Sequence, residues 1–313
     1  MDPLTDALQT LQARGAMYWY CEMRGAWGLY DDGGPAAYHT VLEGGCYLEV
    51  PDHGIDLYLE AGDLIVLPRG DGIIMRDAPE TPAMHVLELV AQHPPDERGT
   101  LRLGQGEVQT ELVCGQVYYD ENIRHPLLDA LPPVIVLRRG EHEQTPWLRN
   151  TLGFIACEAR SGRLGAGALV GHLSNVLFIQ AIRAHVAQTD APAQGWLRGL
   201  MDPHIAPALA QIQQRPDASW TVESLAYEAS LSRSAFSNRF RDVVGEPPMT
   251  FLTRWRMLEA ARLLRTRRSD TLADVSALVG YESEASFSRT FKRIIGQSPG
   301  RYRSAARRSG LLV

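Results

Sequence analysis

The sequence predicts an α+β protein: a small β-barrel or jelly roll with helices appended, then an all-α module in which two helix-turn-helix units are joined by a long helix. Three observations carry this. Roughly eight short β-rich runs, separated by Gly, Pro and Asp, occupy the first part of the chain. After Pro146 the apolar residues switch to helical spacing. Past Arg215 the chain repeats itself. With 313 residues and 45% hydrophobic composition there is enough apolar material for more than one core. The natural divisions are 1–145, 146–215 and 216–313.

In chain order, the strand candidates are 17–23, 39–42, 46–50, 56–59, 64–67, 85–90, 111–114 and 116–119. Helical spacing follows over 147–158 and 166–187, broken at Arg160-Ser-Gly-Arg-Leu-Gly. The second helix is apolar around most of its circumference, through Leu169, Val170, Leu173, Val176, Leu177 and Phe178. Such a helix is buried on more than one side. One flank suits the barrel. The other suits a second copy of the chain, giving a homodimer, with burial inside one chain as the alternative. Asp202 followed by Pro203 reads as an N-cap with proline at the first helical position, opening a helix to about Gln214. Arg215-Pro-Asp-Ala-Ser then marks a boundary.

Beyond that boundary lies a duplication. At an offset of 51, Ser232 matches Ser283, Phe236 matches Phe287, Ser237 matches Ser288, Phe240 matches Phe291, Arg241 matches Lys292, Gly245 matches Gly296 and Pro248 matches Pro299. Upstream, Thr221-Val-Glu-Ser-Leu-Ala matches Thr271-Leu-Ala-Asp-Val-Ser at an offset of 50, so the second copy has one extra residue within Gly280-Tyr-Glu. Each copy reads as a Thr-capped helix, a tight turn and a Ser-capped helix whose two Phe point inward and whose outer face is polar. Between them, Leu252, Trp255, Leu258, Ala261 and Leu264 recur at helical spacing, while Arg254, Arg256 and Arg262 face elsewhere. About 17 residues make a rod of about 26 Å, which with the width of two hairpins holds the second helices about 34 Å apart, one duplex turn.

Charge agrees with a nucleic-acid partner for this module. The net charge of −6 hides a balance of −12 over residues 1–215, from 15 Arg against 27 Asp and Glu, and of +6 over 216–313, from 16 basic residues against 10 acidic ones. An acidic body joined to a basic module suggests phosphate binding. No apolar run of membrane-spanning length appears and the start lacks the features of a secretory signal, so the reading is a soluble cytoplasmic protein without membrane contact.

Residues 216–308 resemble the DNA-binding domain of the AraC/XylS family of bacterial transcription regulators. The resemblance rests on Ser232-Arg-Ser-Ala-Phe-Ser-Asn-Arg-Phe-Arg, Gly245-Glu-Pro-Pro-Met, Arg254-Trp-Arg-Met, Ala260-Ala-Arg-Leu-Leu, Val279-Gly-Tyr-Glu-Ser-Glu-Ala-Ser-Phe-Ser-Arg-Thr-Phe-Lys-Arg and Gly296-Gln-Ser-Pro-Gly-Arg-Tyr-Arg. Less specifically, His39-Thr-Val-Leu-Glu-Gly and Ala61-Gly-Asp-Leu-Ile-Val-Leu-Pro-Arg-Gly resemble the cupin-like sensor domain of such regulators. The resemblance implies double-stranded DNA as partner, with RNA polymerase a further candidate. It places the base-reading surface on Ser234, Ser237 and Asn238 in the first hairpin and on Glu284, Ala285, Ser288 and Arg289 in the second.

Arg289 suits guanine O6 and N7, and Asn238 suits adenine N6 and N7. Arg233, Arg239, Arg241, Lys292 and Arg293 are candidates for phosphate contacts, which add affinity without sequence information. In the barrel, Tyr18, Tyr20, His39 and Tyr47 are candidates for lining a pocket for a small-molecule effector, and Cys21 and Cys114 for a redox signal. The other two cysteines, Cys46 and Cys157, are equally isolated, so no disulfide framework or zinc ribbon is indicated. His39 lacks a His-x-His partner, so the catalytic metal set of a cupin enzyme is absent from the pattern; no cofactor is expected and the chain is read as a non-enzyme. The alternative is a cupin-type metal enzyme or ligand-binding module carrying a non-functional helical domain.

Overall fold

The computed structural model describes residues 3–11, 13–97, 99–119, 125–139, 146–161, 163–188, 195–267 and 269–309. The chain divides into two compact units that do not follow chain order: one takes residues 13–119 and 131–188, the other residues 1–12, 120–130 and 189–313.

The first unit is built on two sheets. The strands are β1 (Arg14–Arg24), β2 (Gly28–Asp31), β3 (Ala36–Glu43), β4 (Gly45–Val50), β5 (Ile55–Glu60), β6 (Leu64–Leu67), β7 (Ile73–Arg76), β8 (Met84–His85), β9 (Thr100–Gly104), β10 (Val108–Tyr118) and β11 (Ile135–Leu137). One sheet runs β11-β6-β3-β10-β1-β9 and the other β5-β4-β7-β2-β8. Alternation along β4 buries Cys46, Leu48 and Val50 and turns Tyr47 and Glu49 outward, the period-two signature of a strand with one face on a core. The core between the sheets includes Met23, Trp27, Val41, Leu48, Ile65 and Met75. Gly115 interrupts the run from 111 to 119 without ending it: β10 is one strand, and a Cβ at Gly115 would lie 2.3 Å from the Tyr38 ring.

One strand expectation is overturned. Residues 85–90 were expected to be extended, but only Met84–His85 pair, and α2 (Val86–Gln92) follows. The His85 Nδ1 accepts the Leu87 N–H at 3.1 Å and caps the helix, burying Val86 and Leu89 while Leu87 is exposed. In a run this short, a local cap decides between helix and strand where hydrophobicity cannot.

Two helices complete this unit, α4 (Pro146–Ser161) and α5 (Ala166–Gln188). Their ties to the sheet are polar and specific. The Tyr38 hydroxyl and Ser174 Oγ of α5 lie 2.6 Å apart in a fully buried contact. The Arg160 Nε of α4 donates to the Tyr20 hydroxyl at 2.8 Å.

The second unit is helical: α1 (Pro3–Leu11), α3 (Pro126–Ala130), α6 (Trp196–Met201), α7 (Ile205–Gln214), α8 (Val222–Glu228), α9 (Arg233–Val244), α10 (Pro248–Thr266), α11 (Leu272–Leu278), α12 (Glu284–Ile295) and α13 (Pro299–Ser309). α10 serves two cores at once. Its first half packs Phe251 against Phe240 at 5.9 Å between ring centroids. Its second half contributes Met257, Ala261 and Leu264 to a cluster with Val275, Phe287, Phe291 and Tyr302. The 19 residues of this helix span about 28 Å. α1 packs on α7 and α10, and α3 on α6, so two strips from the early part of the chain belong to the helical unit.

Candidate nucleic-acid interface and sensor cavity

The two hairpins are built by the same local chemistry. Thr221 caps α8 through a reciprocal box with Ser224, and Thr271 caps α11 through one with Asp274. Ser232 and Ser283 accept the N–H of Ala235 and Ser286 to open α9 and α12. Gly245 and Gly296 close those helices in the left-handed conformation, at φ 90° and 84°. The turns differ as the offset change required. Four residues separate α8 from α9, and five separate α11 from α12. The left-handed position is Ser230 at φ 53° in the first turn and Gly280 at φ 77° in the second.

Burial sorts each second helix into two faces. In α9, Phe236, Phe240, Val243 and Val244 are buried, while Ser234, Asn238 and Arg241 are exposed and Ser237 is half-buried. In α12, Phe287, Phe291 and Ile295 are buried, while Glu284, Ala285, Arg289, Lys292 and Arg293 are exposed and Ser288 is half-buried. Residues 234, 238 and 241 form one i, i+4, i+7 row, and 285, 289 and 292 form its equivalent at the offset of 51.

The basic residues divide by what holds them. Arg233 is ion-paired with Glu223 at 2.8 Å. Arg239 grips Asp202, with its Nη2 at 2.8 Å and its Nε at 3.1 Å from the carboxylate oxygens. Asp202 also accepts the N–H groups of His204 and Ile205, so its carboxylate serves the start of α7 from three residues ahead of Ile205, and the helix opens after His204 rather than at Pro203. Burial pushes this carboxyl upward, but Arg239 and the two backbone donors outweigh it and hold it below the usual range. In α10, Arg256 donates to the carbonyls of Pro216 and Ala218 at 2.7 and 2.8 Å and lies over the Tyr281 ring. Arg254 pairs with Glu246 and Asp129, and Arg262 with Glu259. These three arginines tie the helical unit together internally.

In the sheet unit, a cavity open to solvent is lined by Trp19, Cys21, Ala37, His39, Cys114 and Gln116 on one side, and its mouth carries Asp31, Gly33, Gly70 and Asp71. His39 and Cys114 are directly paired across β3 and β10. Gly70 sits at φ 67°, and a Cβ there would meet the Gly34 carbonyl oxygen at 1.9 Å, so only glycine permits this crossing of two backbones at the mouth.

His39, Cys21 and Cys114 are therefore brought together at the cavity; Tyr20 and Tyr47 are not. Tyr20 points to the opposite face of β1, toward Arg160 and Glu111, and burial with the Glu111 contact pushes its hydroxyl up to about 12. Tyr47 stacks edge-on against Tyr58 at 4.9 Å on the outward face of β4. The Tyr18 side chain lies outside the described residues. Trp19 is the aromatic residue at this wall that sequence reasoning missed. Its signal was the parity of Cys21 and Met23, which share its face.

Two of the thiols, Cys46 and Cys114, are held protonated by their surroundings. The Cys114 thiol is held well above its ordinary pKa by its contact with Cys21 and by burial, which outweigh the opposing influence of His39. Burial pushes the Cys46 thiol up to about 12. Cys157 is exposed on α4. Among the described residues, no three His, Cys, Asp or Glu side chains gather as metal ligands, and no helix is long and apolar enough to cross a membrane.

Comparison with known proteins matches both parts of the chain. The cupin family model matches residues 2–187, and a helix-turn-helix domain model matches residues 225–305. The chain is similar to a putative AraC-like transcription regulator of Streptomyces lividans, 34% identical over 97% of this chain and 98% of that protein. It is also similar to the HTH-type transcriptional regulator AlkR of Acinetobacter baylyi, 31% identical over 97% and 99%. Among solved structures, the DNA-binding domain of the transcriptional factor AdpA in complex with a target DNA is 34% identical, covering 34% of this chain and 96% of that one, at a TM-score of 0.32.

Proposed function

The chain belongs to the AraC family of DNA-binding transcription regulators, with a cupin-like N-terminal domain, and from that premise we propose how it reads DNA and what governs it. The observation that carries the reading is the pair of equivalent outward rows on α9 and α12, built on hairpins that share α10 as a common core element. Each second helix enters a major groove. Asn238 reads one block of bases with Ser234 and Ser237, and Arg289 reads a second block with Glu284, Ala285 and Ser288, about one duplex turn away. Arg241, Lys292 and Arg293 meet phosphates, together with whatever donors Arg233 and Arg239 retain beyond their carboxylate partners.

The test is footprinting and selection of bound sequences with the full-length protein. Asn238→Ala and Arg289→Ala should each relax base preference in a different block, the two blocks lying about ten base pairs apart. Relaxation of the same block by both variants would defeat the two-groove reading.

Control comes from a small molecule in the cavity between the sheets, and the protein works in the cytoplasm as a homodimer that catalyses no reaction of its own. Dimerisation is supported by the apolar residues that α5 and its neighbour leave exposed, Leu169, Val176 and Phe154. Val176→Asp should shift the sedimentation of the purified protein to that of a monomer. RNA polymerase is the partner through which the bound regulator acts. A redox signal through Cys21 and Cys114 is the weaker reading, because oxidants attack the thiolate and the Cys114 thiol is held protonated. Replacing both cysteines by Ser should leave the promoter's response to oxidant unchanged.

A further inference from the structure

The cavity's polar groups specify the chemistry of what enters it. His39 is nine-tenths buried, lines the cavity wall, and neither of its ring nitrogens meets a partner in hydrogen-bonding geometry. The adjacent Cys114 sulfur is at best a weak donor or acceptor, and leaves that demand open. A buried imidazole without partners has lost its hydration, and a ligand atom that bonds to it restores what was lost. At the mouth, Asp71 gives one oxygen to His53 at 3.0 Å, while its other oxygen is buried without a partner. Asp31 lines the same space and accepts the Gly33 N–H at 3.0 Å. Most of the remaining wall is apolar, including Trp19, Leu29, Leu67, Ile73 and Leu101, Gln116 adds a side-chain amide, and no Lys or Arg is among the described lining residues.

We propose, resting on the effector reading above, that this cavity binds a compact molecule with an apolar body and an O–H or N–H donor, neutral or cationic, and that it rejects carboxylates and other anions. The apolar body fills the space between Trp19, Leu67 and Ile73. The donor bonds to a His39 nitrogen or to the open oxygen of Asp71. A carboxylate in the same place meets two aspartates with no Lys or Arg among the described lining residues to offset them, so it is disfavoured by charge.

The experiment is calorimetry on the full-length protein with four probes of one size: benzyl alcohol, benzylamine, toluene and benzoate. The alcohol and the amine should bind at least tenfold more tightly than benzoate. His39→Leu should weaken the alcohol at least tenfold while leaving toluene unchanged or tighter. Asp71→Asn, at the mouth and away from the core, should narrow the margin against benzoate. Binding of benzoate equal to or tighter than benzyl alcohol, an order of affinities unaltered in both variants, or no binding of any probe would overturn the proposal. Ala37→Phe, which fills the cavity, separates the two readings. If it abolishes control of the target promoter while benzoate outbinds the alcohol, the ligand class is wrong and the effector reading survives. If control persists with the cavity filled, both fall.

Discussion

Arg289 and Arg239 show how differently two arginines on equivalent helices are used. Arg289 is exposed on the row that faces away from Phe287 and Phe291. Arg289→Ala should cost about 1–3 kcal/mol on the true site and little on other sequences, measured by titration against matched and mismatched duplexes. Arg239 is committed to Asp202, the residue whose carboxylate also serves the start of α7. Because the folded state holds the Asp202 carboxyl below its unfolded value, its contribution is complete above the unfolded pKa of about 4 and is lost as pH falls through the folded value. Asp202→Asn should therefore lower the melting temperature at neutral pH, and the gap from the parent should close on acidification below about pH 4. A gap independent of pH would mean that the ion pair is not its source. The exposed row was legible in the sequence because the two phenylalanines fix which face is inward. The Arg239–Asp202 pair was not, because its partners lie 37 positions apart and nothing in their spacing joins them.

At the scale of elements, the hairpins were legible for the same reason that they repeat: caps, turns and a 3.6-residue period all act within a few positions. The left-handed turn position makes this testable. Ser230 is, among the described residues, the non-glycine at positive φ, where its repeat counterpart is Gly280. A side chain there costs about 1–2 kcal/mol, and glycine returns part of that gain through its freer unfolded chain. Ser230→Gly should raise stability by about 0.5–1 kcal/mol in a denaturant titration. Gly280→Ala should do the reverse, since its Cβ would lie 2.7 Å from the Asp217 carbonyl oxygen and 2.8 Å from the Arg256 guanidinium. Strands were less legible. Tyr18-Trp19-Tyr20 is aromatic at every position and carries no alternation, so which face turns inward depends on pairing with distant β10, and a shift of one residue exchanges the faces. The short strands β2, β7 and β11 have too few residues to show a period at all. At the cavity mouth, Gly70→Ala should destabilise the sheet unit and abolish ligand binding, because positive φ and the Gly34 carbonyl both oppose a Cβ.

Over the whole molecule, charge balance singles out the helix-turn-helix module but not which of its charges are free to meet a phosphate. Residues 216–313 carry 16 basic side chains, yet Arg254, Arg256 and Arg262 spend their donors on Glu246, on the Pro216 and Ala218 carbonyls and on Glu259. Composition cannot distinguish an arginine that ties helices together from one that meets phosphate, since both raise the net charge equally. Nor does it show that residues 3–11 and 125–130, which precede the basic module by more than two hundred positions in the first case and by about ninety in the second, fold with the helical unit. Salt dependence separates the two kinds of arginine, because only cations that displace counterions from DNA contribute to its slope. Arg241→Ala should weaken binding to every sequence alike and flatten the plot of log affinity against log salt by about one. Arg254→Ala should leave that slope unchanged while lowering the unfolding temperature, since it strands Glu246 and removes a partner of Asp129. Equal slopes for the parent and Arg241→Ala would remove that side chain from the phosphate contacts. A flatter slope for Arg254→Ala would show that its place within the helical unit does not keep it from DNA.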